Sequence, residues 1–315
     1  MYLARTLGVG LGARSVRWLQ RGGLALSLLV LAACTSLQST KPPEPVSSPT
    51  AERRELRLGL ALGGGAVRGF AHVGVIQVLE EAGLRPSHLA GTSAGSLVAA
   101  FYASGKTPAE LVRVAETMQE GEITDWMLPI LNRGALRGQA LARYVNGQVG
   151  NKTLEQMAIP LGIVATDLGS GRAITFRRGN TGEAVRASSA VPAVFQPVRI
   201  GEREYVDGGL VSPVPVRQTR EMGANFVIAV DISSDPEGNP FGDTFQILMQ
   251  TFAIMGQSIN ALALKEADLV VRPALTGVKS ADFSARLRAI EAGRAAMRAS
   301  LPALMARLAQ FEEGR

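Results

Sequence analysis

Apolar residues in this chain come in short blocks divided by glycine, and the blocks alternate between strand-like runs and helical spacing. Leu56 to Leu62 (Leu-Arg-Leu-Gly-Leu-Ala-Leu) reads as a first strand that ends in Gly63-Gly64-Gly65. Beyond Ala66-Val67-Arg68-Gly69, the positions Val75, Ile76, Val78 and Leu79 give the apolar face of a helix that an acidic pair and Gly83 close. Leu89-Ala90 is a second strand, and Leu97 to Tyr102 belong to the helix after it, which Gly105 stops. Thr107-Pro108-Ala109-Glu110 starts another helix with threonine as N-cap, proline first and glutamate third, a capping box. Further strands are predicted at Leu161 to Thr166, Ala173 to Phe176, Glu204 to Val206, Phe226 to Val230 and Leu269 to Arg272. Further helices are predicted at Pro215 to Met222, Phe245 to Ala267 and Ala285 to Phe311. Alternation of this kind predicts an α/β fold, with a parallel or mixed sheet covered on both faces.

Three glycine-rich turns interrupt the pattern where chemistry can sit. The first is strand, glycine loop, helix, which exposes unpaired backbone amides to an anion. A dinucleotide-binding reading fails, because the last glycine of its fingerprint would fall on Arg68. Gly63, Gly64 and Gly65 suit an oxyanion hole, with adjacent amides from Gly64 and Gly65 and with Arg68 orienting the loop or adding positive potential. A tight turn for close strand-to-helix packing is the plain alternative. In the second turn, Gly91-Thr92-Ser93-Ala94-Gly95, a serine stands between glycines where a strand turns into a helix, the form of a nucleophile elbow. The third is Asp207-Gly208-Gly209 at a strand end, where the aspartate either points across the sheet edge or sits in an ordinary Asp-Gly hairpin. Gly105-Lys106-Thr107 is no phosphate loop, because the residues before it continue a helix. Glu122 to Leu136 is an apolar loop that packs over the core or covers a greasy site.

A Ser-His-Asp triad lacks its base here. The chain has 2 histidines, His72 and His88, and neither follows Ser93. His88 lies five residues upstream, roughly 16 Å away along a strand, and His72 falls inside a helix. A desolvated carboxylate within reach can take the serine proton instead, and Asp207 is the candidate. In this order, Gly63-Gly64-Gly65-Ala66-Val67-Arg68-Gly69, Gly91-Thr92-Ser93-Ala94-Gly95 and Asp207-Gly208-Gly209 resemble the three signatures of the patatin-like phospholipases. Ala187-Ser188-Ser189-Ala190-Val191-Pro192 resembles a segment of the bacterial members. The resemblance covers about Leu56 to Val230 and implies a three-layer α/β/α fold with a mostly parallel central sheet. It also implies a Ser93–Asp207 dyad that hydrolyses acyl esters of lipids through an acyl-serine, with no metal and no cofactor. The readings kept beside it are an esterase or thioesterase for small soluble acyl substrates, and a lipid-anchored binding protein without turnover.

The N-terminus and the charge bear on where such a protein works. Arg5, Arg14, Arg17 and Arg21 precede the apolar run Leu24 to Ala33, too short to span a bilayer, so residues 1–33 read as a signal peptide. It ends in Leu31-Ala32-Ala33-Cys34, which resembles the lipobox of bacterial lipoproteins, with Cys34 as the acylated first residue. Cys34 is the only cysteine of the 315 residues, so no intramolecular disulfide exists. Residues 34–55, rich in proline and serine, read as a tether to a folded domain over 56–315 whose motifs lie within 56–230. Taking the four signal-peptide arginines from 33 basic residues leaves 29 against 27 acidic ones, so the formal +6 falls to +2 and nucleic acid is not the expected partner. Thr35 after Cys34 suggests the outer membrane, facing the periplasm. The partners expected are a lipid or acyl-ester substrate and a membrane, reached through Cys34.

Overall fold

The computed structural model describes residues 55–125, 134–237, 242–279 and 281–314. The expected signal peptide 1–33, Cys34, nearly all of the expected tether and the apolar centre of the expected 122–136 loop lie outside these residues. Ten strands alternate with nine helices among them. The sheet runs in the order β10 (Leu269–Val271), β9 (Phe226–Val230), β1 (Leu58–Leu62), β2 (His88–Thr92), β4 (Leu161–Asp167), β8 (Arg203–Asp207) and β7 (Val198–Ile200), with β5 (Ala173–Phe176) also on β4. The pairings from β10 to β4 are parallel, and β5, β8 and β7 add antiparallel ones. A separate pair joins β3 (Gly134–Leu136) to β6 (Ala193–Phe195).

Side-chain alternation divides the strands between two layers of helices. Leu58, Leu60 and Leu62 of β1, with Phe226, Ile228 and Val230 of β9, enter the larger core. There they meet α1 (Phe70–Glu81), α2 (Ala94–Ala103), α3 (Pro108–Thr117), α5 (Gln139–Gln148), α6 (Thr181–Ser188) and α9 (Arg286–Glu312). On the other face Ala61, Val227 and Ala229 pack against the smaller α7 (Val216–Glu221) side. The short residues let α7 lie close: a Cβ at Gly59 would come within 2.5 Å of Thr219 Cγ2. α8 (Thr244–Ala263) packs on the turn Gly208–Leu210, and α4 (Glu120–Ile123) and β3 take the two ends of the stretch 122–136 that the sequence suggests as a loop. The result is the three-layer α/β/α arrangement expected. The capping box at Thr107 is formed as the sequence indicates.

The strand register positions the site. Ile163 and Val164 of β4 pair with β2 and also with β5, so these two strands flank β4 on opposite edges. Ala165 and Thr166 pair with β5 and also with β8, which therefore lies on the β2 edge. β2 and β8 thus follow one another along the same edge, approaching from opposite directions. Thr92 is opposite Val164 and Asp207 is opposite the next residue, Ala165. Two residues 115 positions apart in the chain meet where the two strands end.

Candidate active site

Ser93 connects β2 to α2 with φ 52° and ψ −123°, a conformation outside the basins favoured by a side chain. Such strain costs of order 1–3 kcal/mol and persists only where the surroundings enforce it. The Ser93 N–H donates to Ser188 Oγ at 2.8 Å, and the Ser188 hydroxyl donates to the Val164 carbonyl at 2.5 Å. The Ser93 carbonyl accepts from both the N–H and the hydroxyl of Ser96, at 2.8 and 2.6 Å. Thr92 is tied by its hydroxyl to the Ser212 carbonyl at 2.9 Å, which fixes the end of β2 to the chain beyond Asp207. The flanking glycines are needed for closeness rather than for a left-handed turn: a Cβ at Gly95 would lie 2.1 Å from the Leu62 carbonyl oxygen, and one at Gly91 2.5 Å from that of Gly95.

Asp207 is buried at the end of β8. Its N–H donates to the Ala190 carbonyl at 2.9 Å, and its carbonyl accepts the Thr166 hydroxyl at 2.8 Å. Oδ1 accepts the Gly209 N–H at 2.7 Å, whereas Oδ2 is buried with no fully formed hydrogen bond. Loss of water pushes the carboxyl up to about 6, and hydrogen bonding from the Ser93 hydroxyl and the Gly209 N–H holds the rise back. The Asp-Gly hairpin is not what folds here: Gly208–Leu210 is a 3-10 turn, and a Cβ at Gly208 would lie 2.3 Å from the Val164 carbonyl oxygen.

The glycine loop after β1 lies against Ser93, with a Cβ at Gly64 only 3.1 Å from Ser93 Cβ. Its amides are not all free. Gly63 N–H donates to the Val230 carbonyl at 3.1 Å and Gly64 N–H to the Pro213 carbonyl at 3.0 Å. The expectation of a free Gly64 amide is corrected on that ground, and Gly65 N–H is the one of the three with no backbone acceptor among the described residues. The N-terminus of α2 adds the Ala94 and Gly95 amides, which have no intrahelical acceptor. His72 is fully buried and its Nε2–H donates to the Gly63 carbonyl at 2.8 Å, so it fixes the loop. Burial pushes this imidazole down to about 4, against that hydrogen bond and the charge of Asp231, so it stays neutral. Arg68 has a buried Nε without a hydrogen-bond partner; desolvation lowers its pKa while Asp231 opposes. His88 begins β2, at the end away from Ser93.

The fold thus brings Ser93, Asp207 and the glycine loop together and leaves His88 out. Sequence reasoning missed Ser188, Thr166 and the role of His72. Ser188 lay inside a recognised segment, but nothing in one sequence says that its hydroxyl crosses 95 positions to reach Ser93.

The family model of the patatin-like phospholipases matches residues 60–220, slightly over half of the chain, and spans the glycine loop, the serine turn and the aspartate turn. The chain belongs to the patatin-like phospholipase family. An NTE family protein of Mycobacterium tuberculosis is 36% identical over 183 residues, 58% of this chain and 51% of the relative. A second from that organism is 30% identical over 273 residues, 78% of this chain and 46% of the relative. Patatin-like phospholipase domain-containing protein 6 of Mus musculus is 30% identical over 196 residues, 59% of this chain and 14% of its own length. This patatin-like chain therefore spans about half the length of its mycobacterial relatives or less. Among solved structures, VipD of Legionella pneumophila superposes with a TM-score of 0.54 at 16% identity, covering 82% of this chain and 68% of that one, which bears out the patatin-like fold.

Proposed function

We propose that this chain is a lipid acyl hydrolase in which Ser93 is the nucleophile and Asp207 its only base. The observation that carries the reading is the Asp207 carboxyl: buried, with Oδ2 lacking a formed hydrogen bond, under the influence of the Ser93 hydroxyl, and pushed up to about 6. A carboxylate in that state is ionised at neutral pH and basic enough to accept a proton. Ser93 Oγ attacks the ester carbonyl carbon as its proton passes to Asp207 Oδ2. The carbonyl oxygen becomes an oxyanion, held by Gly65 N–H and the first amides of α2; one such donor is worth about 3 kcal/mol in the transition state. Collapse expels the alcohol, which takes the proton from Asp207, and leaves acyl-Ser93. Water then loses a proton to Asp207 while attacking the acyl carbon, and the fatty acid leaves as Ser93 regains its proton. Each proton taken by Asp207 is returned within the same half-reaction, so no third residue is required.

Reaction of the purified protein with a fluorophosphonate, followed by peptide mapping, tests this reading. Labelling at Ser93 that disappears in Ser93→Ala and falls steeply in Asp207→Asn is expected, together with loss of ester hydrolysis in both folded variants. Activity retained by either variant removes the dyad. Turnover of monomeric ester without vesicle lipid would favour the small-ester alternative, and labelling without turnover the binding-protein one. We also propose that residues 1–33 are cleaved, that Cys34 is acylated and that residues 34–55 tether the domain 56–315 to the outer membrane. A fatty-acid analogue should label the wild-type chain, and label surviving in Cys34→Ala would refute the anchor.

A further inference from the structure

α8 carries no charged residue over its 20 positions. A surface helix ordinarily turns an apolar stripe inward and a polar one outward. α8 departs from that rule. Ile247, Ile254, Met255 and Leu262 are 54%, 50%, 44% and 69% exposed. At 100° per residue they fall within an arc of roughly 100°, a single outward stripe. The opposite face is fixed to the body. Gly256 lies against Pro213, its Cβ position 3.7 Å from Cγ, and the buried Asn260 donates through Nδ2 to Ser233 Oγ at 2.8 Å. Ser233 Oγ in turn donates to Asp231 Oδ1 at 2.6 Å. Isolated exposed leucines need no explanation, but four large apolar side chains aligned on an uncharged helix form a surface of the kind that meets a partner.

The position of α8 bears on what that partner is. Its inner face rests on the turn Gly208–Leu210, next to Asp207, and on Pro213, whose carbonyl holds the Gly64 N–H. Whatever the outward stripe meets is therefore held about one helix diameter, roughly 10 Å, from the turn that follows Asp207. A lipid surface suits an uncharged stripe, since it offers apolar area and asks for no complementary charge. The chain length also permits it. Described structure begins at Glu55, whose carbonyl accepts Asn225 Nδ2 at 2.8 Å at the start of β1. Cys34 lies 21 residues earlier. At up to about 3.5 Å per residue the connection reaches roughly 70 Å, several times the length of β1 that separates its entry from the glycine loop. An anchor at Cys34 thus leaves the body free to turn this face to the same bilayer.

We propose that the outward stripe of α8, Ile247, Ile254, Met255 and Leu262, seats the chain on a lipid bilayer and so holds the turn after Asp207 within about one helix diameter, roughly 10 Å, of it. The helix lies on the membrane surface rather than across it, because Gly256 and Asn260 keep its inner face on the protein. Seating itself is independent of catalysis; only its use in bringing lipid to Ser93 rests on the acyl-hydrolase reading.

The test uses the full chain. Cysteine is placed singly at 247, 254 or 262, and at 287 and 305 on α9 as controls, where Leu287 and Met305 are 57% and 52% exposed. Each variant is labelled with an environment-sensitive fluorophore, and the wild-type chain supplies the Cys34 background. Mixed phosphatidylcholine and phosphatidylglycerol vesicles carrying nitroxide-labelled acyl chains should quench the dye at 247, 254 and 262 at least five-fold more than at 287 and 305. Equal quenching everywhere, or none on α8, overturns the proposal. A blue shift on α8 that grows with protein concentration but resists the lipid quencher also overturns it, in favour of a second copy of the chain. The same measurement on Ser93→Ala separates the two readings. Quenching retained there, in a protein whose wild type hydrolyses no ester, leaves the seating intact and removes the hydrolase.

Discussion

Replacing Asp207 by asparagine should abolish ester hydrolysis and stabilise the protein. The folded structure raises this carboxyl from its ordinary 3.8 to about 6, and burial is the leading cause. About two units at 1.36 kcal/mol each mean that keeping the group ionised costs the native state about 3 kcal/mol. The sign follows from the direction. A raised folded pKa favours the folded state most at pH below 3.8, and this contribution is lost as pH rises toward 6 and beyond. Asparagine carries no charge to desolvate. Its Oδ1 can accept the Gly209 N–H now bonded to Asp207 Oδ1, and its amide can donate toward Ser93 Oγ. For a body of this size, about 3 kcal/mol corresponds to a rise in Tm of roughly 5–10 °C. Thermal unfolding of wild type and Asp207→Asn at pH 8, 7, 6 and 5 measures it, and the gap should be widest at pH 8 and narrow below pH 6. A variant no more stable than wild type at pH 8, or a gap that widens on acidification, would refute the argument that desolvation makes Asp207 a base.

The same carboxyl sets an acid limit on turnover: kcat/KM should fall below an apparent pKa of about 6, to about a tenth of its plateau at pH 5, and a flat profile from pH 7 to 5 would exclude Asp207 as base. Ser188→Ala removes the buried acceptor of the Ser93 N–H, so about 1–3 kcal/mol of stability should be lost. Fluorophosphonate labelling should slow at least ten-fold, more than kinetics of substrate binding change; undiminished labelling would mean that Ser188 does not position Ser93. Gly95→Ala places a methyl 2.1 Å from the Leu62 carbonyl oxygen, in backbone that cannot yield, and should destabilise by more than about 3 kcal/mol, read as a loss of soluble protein or a large fall in Tm.

Much of the fold was legible because its signals are local. The strands Ala173–Phe176 and Phe226–Val230 fall where the apolar runs place them, and the capping box at Thr107 is written in four residues. What escaped depends on distant parts of the chain. β3 and β6, three residues each, pair across 59 positions without a hydrophobic signature of their own. α6 sends Val185 and Ala187 into separate cores, which no single apolar period announces. Ser188, Thr166 and His72 hold the site through hydrogen bonds to partners 95, 41 and 9 positions away, so no periodicity could single them out. The Gly64 amide shows the opposite failure: the motif was read correctly as a turn, but whether a given N–H points outward depends on Pro213, far along the chain.

The site is expensive for the fold that carries it. The strain at Ser93 is of order 1–3 kcal/mol and the ionised Asp207 adds about 3 kcal/mol, together a large part of the 5–15 kcal/mol by which proteins are ordinarily stable. Such terms persist only where the surroundings cannot relax them. β2 and β8 supply that rigidity, since both end on one edge of β4, itself buried along its whole length. The end of α6 and the residues just after it then grip both residues at once, Ser93 N–H through Ser188 Oγ and Asp207 N–H through the Ala190 carbonyl. A serine and a carboxylate held by one strand edge and one helix end cannot move apart without breaking buried hydrogen bonds. In the proposed mechanism two residues suffice for this reason: the backbone does the orienting that a third side chain performs in a triad.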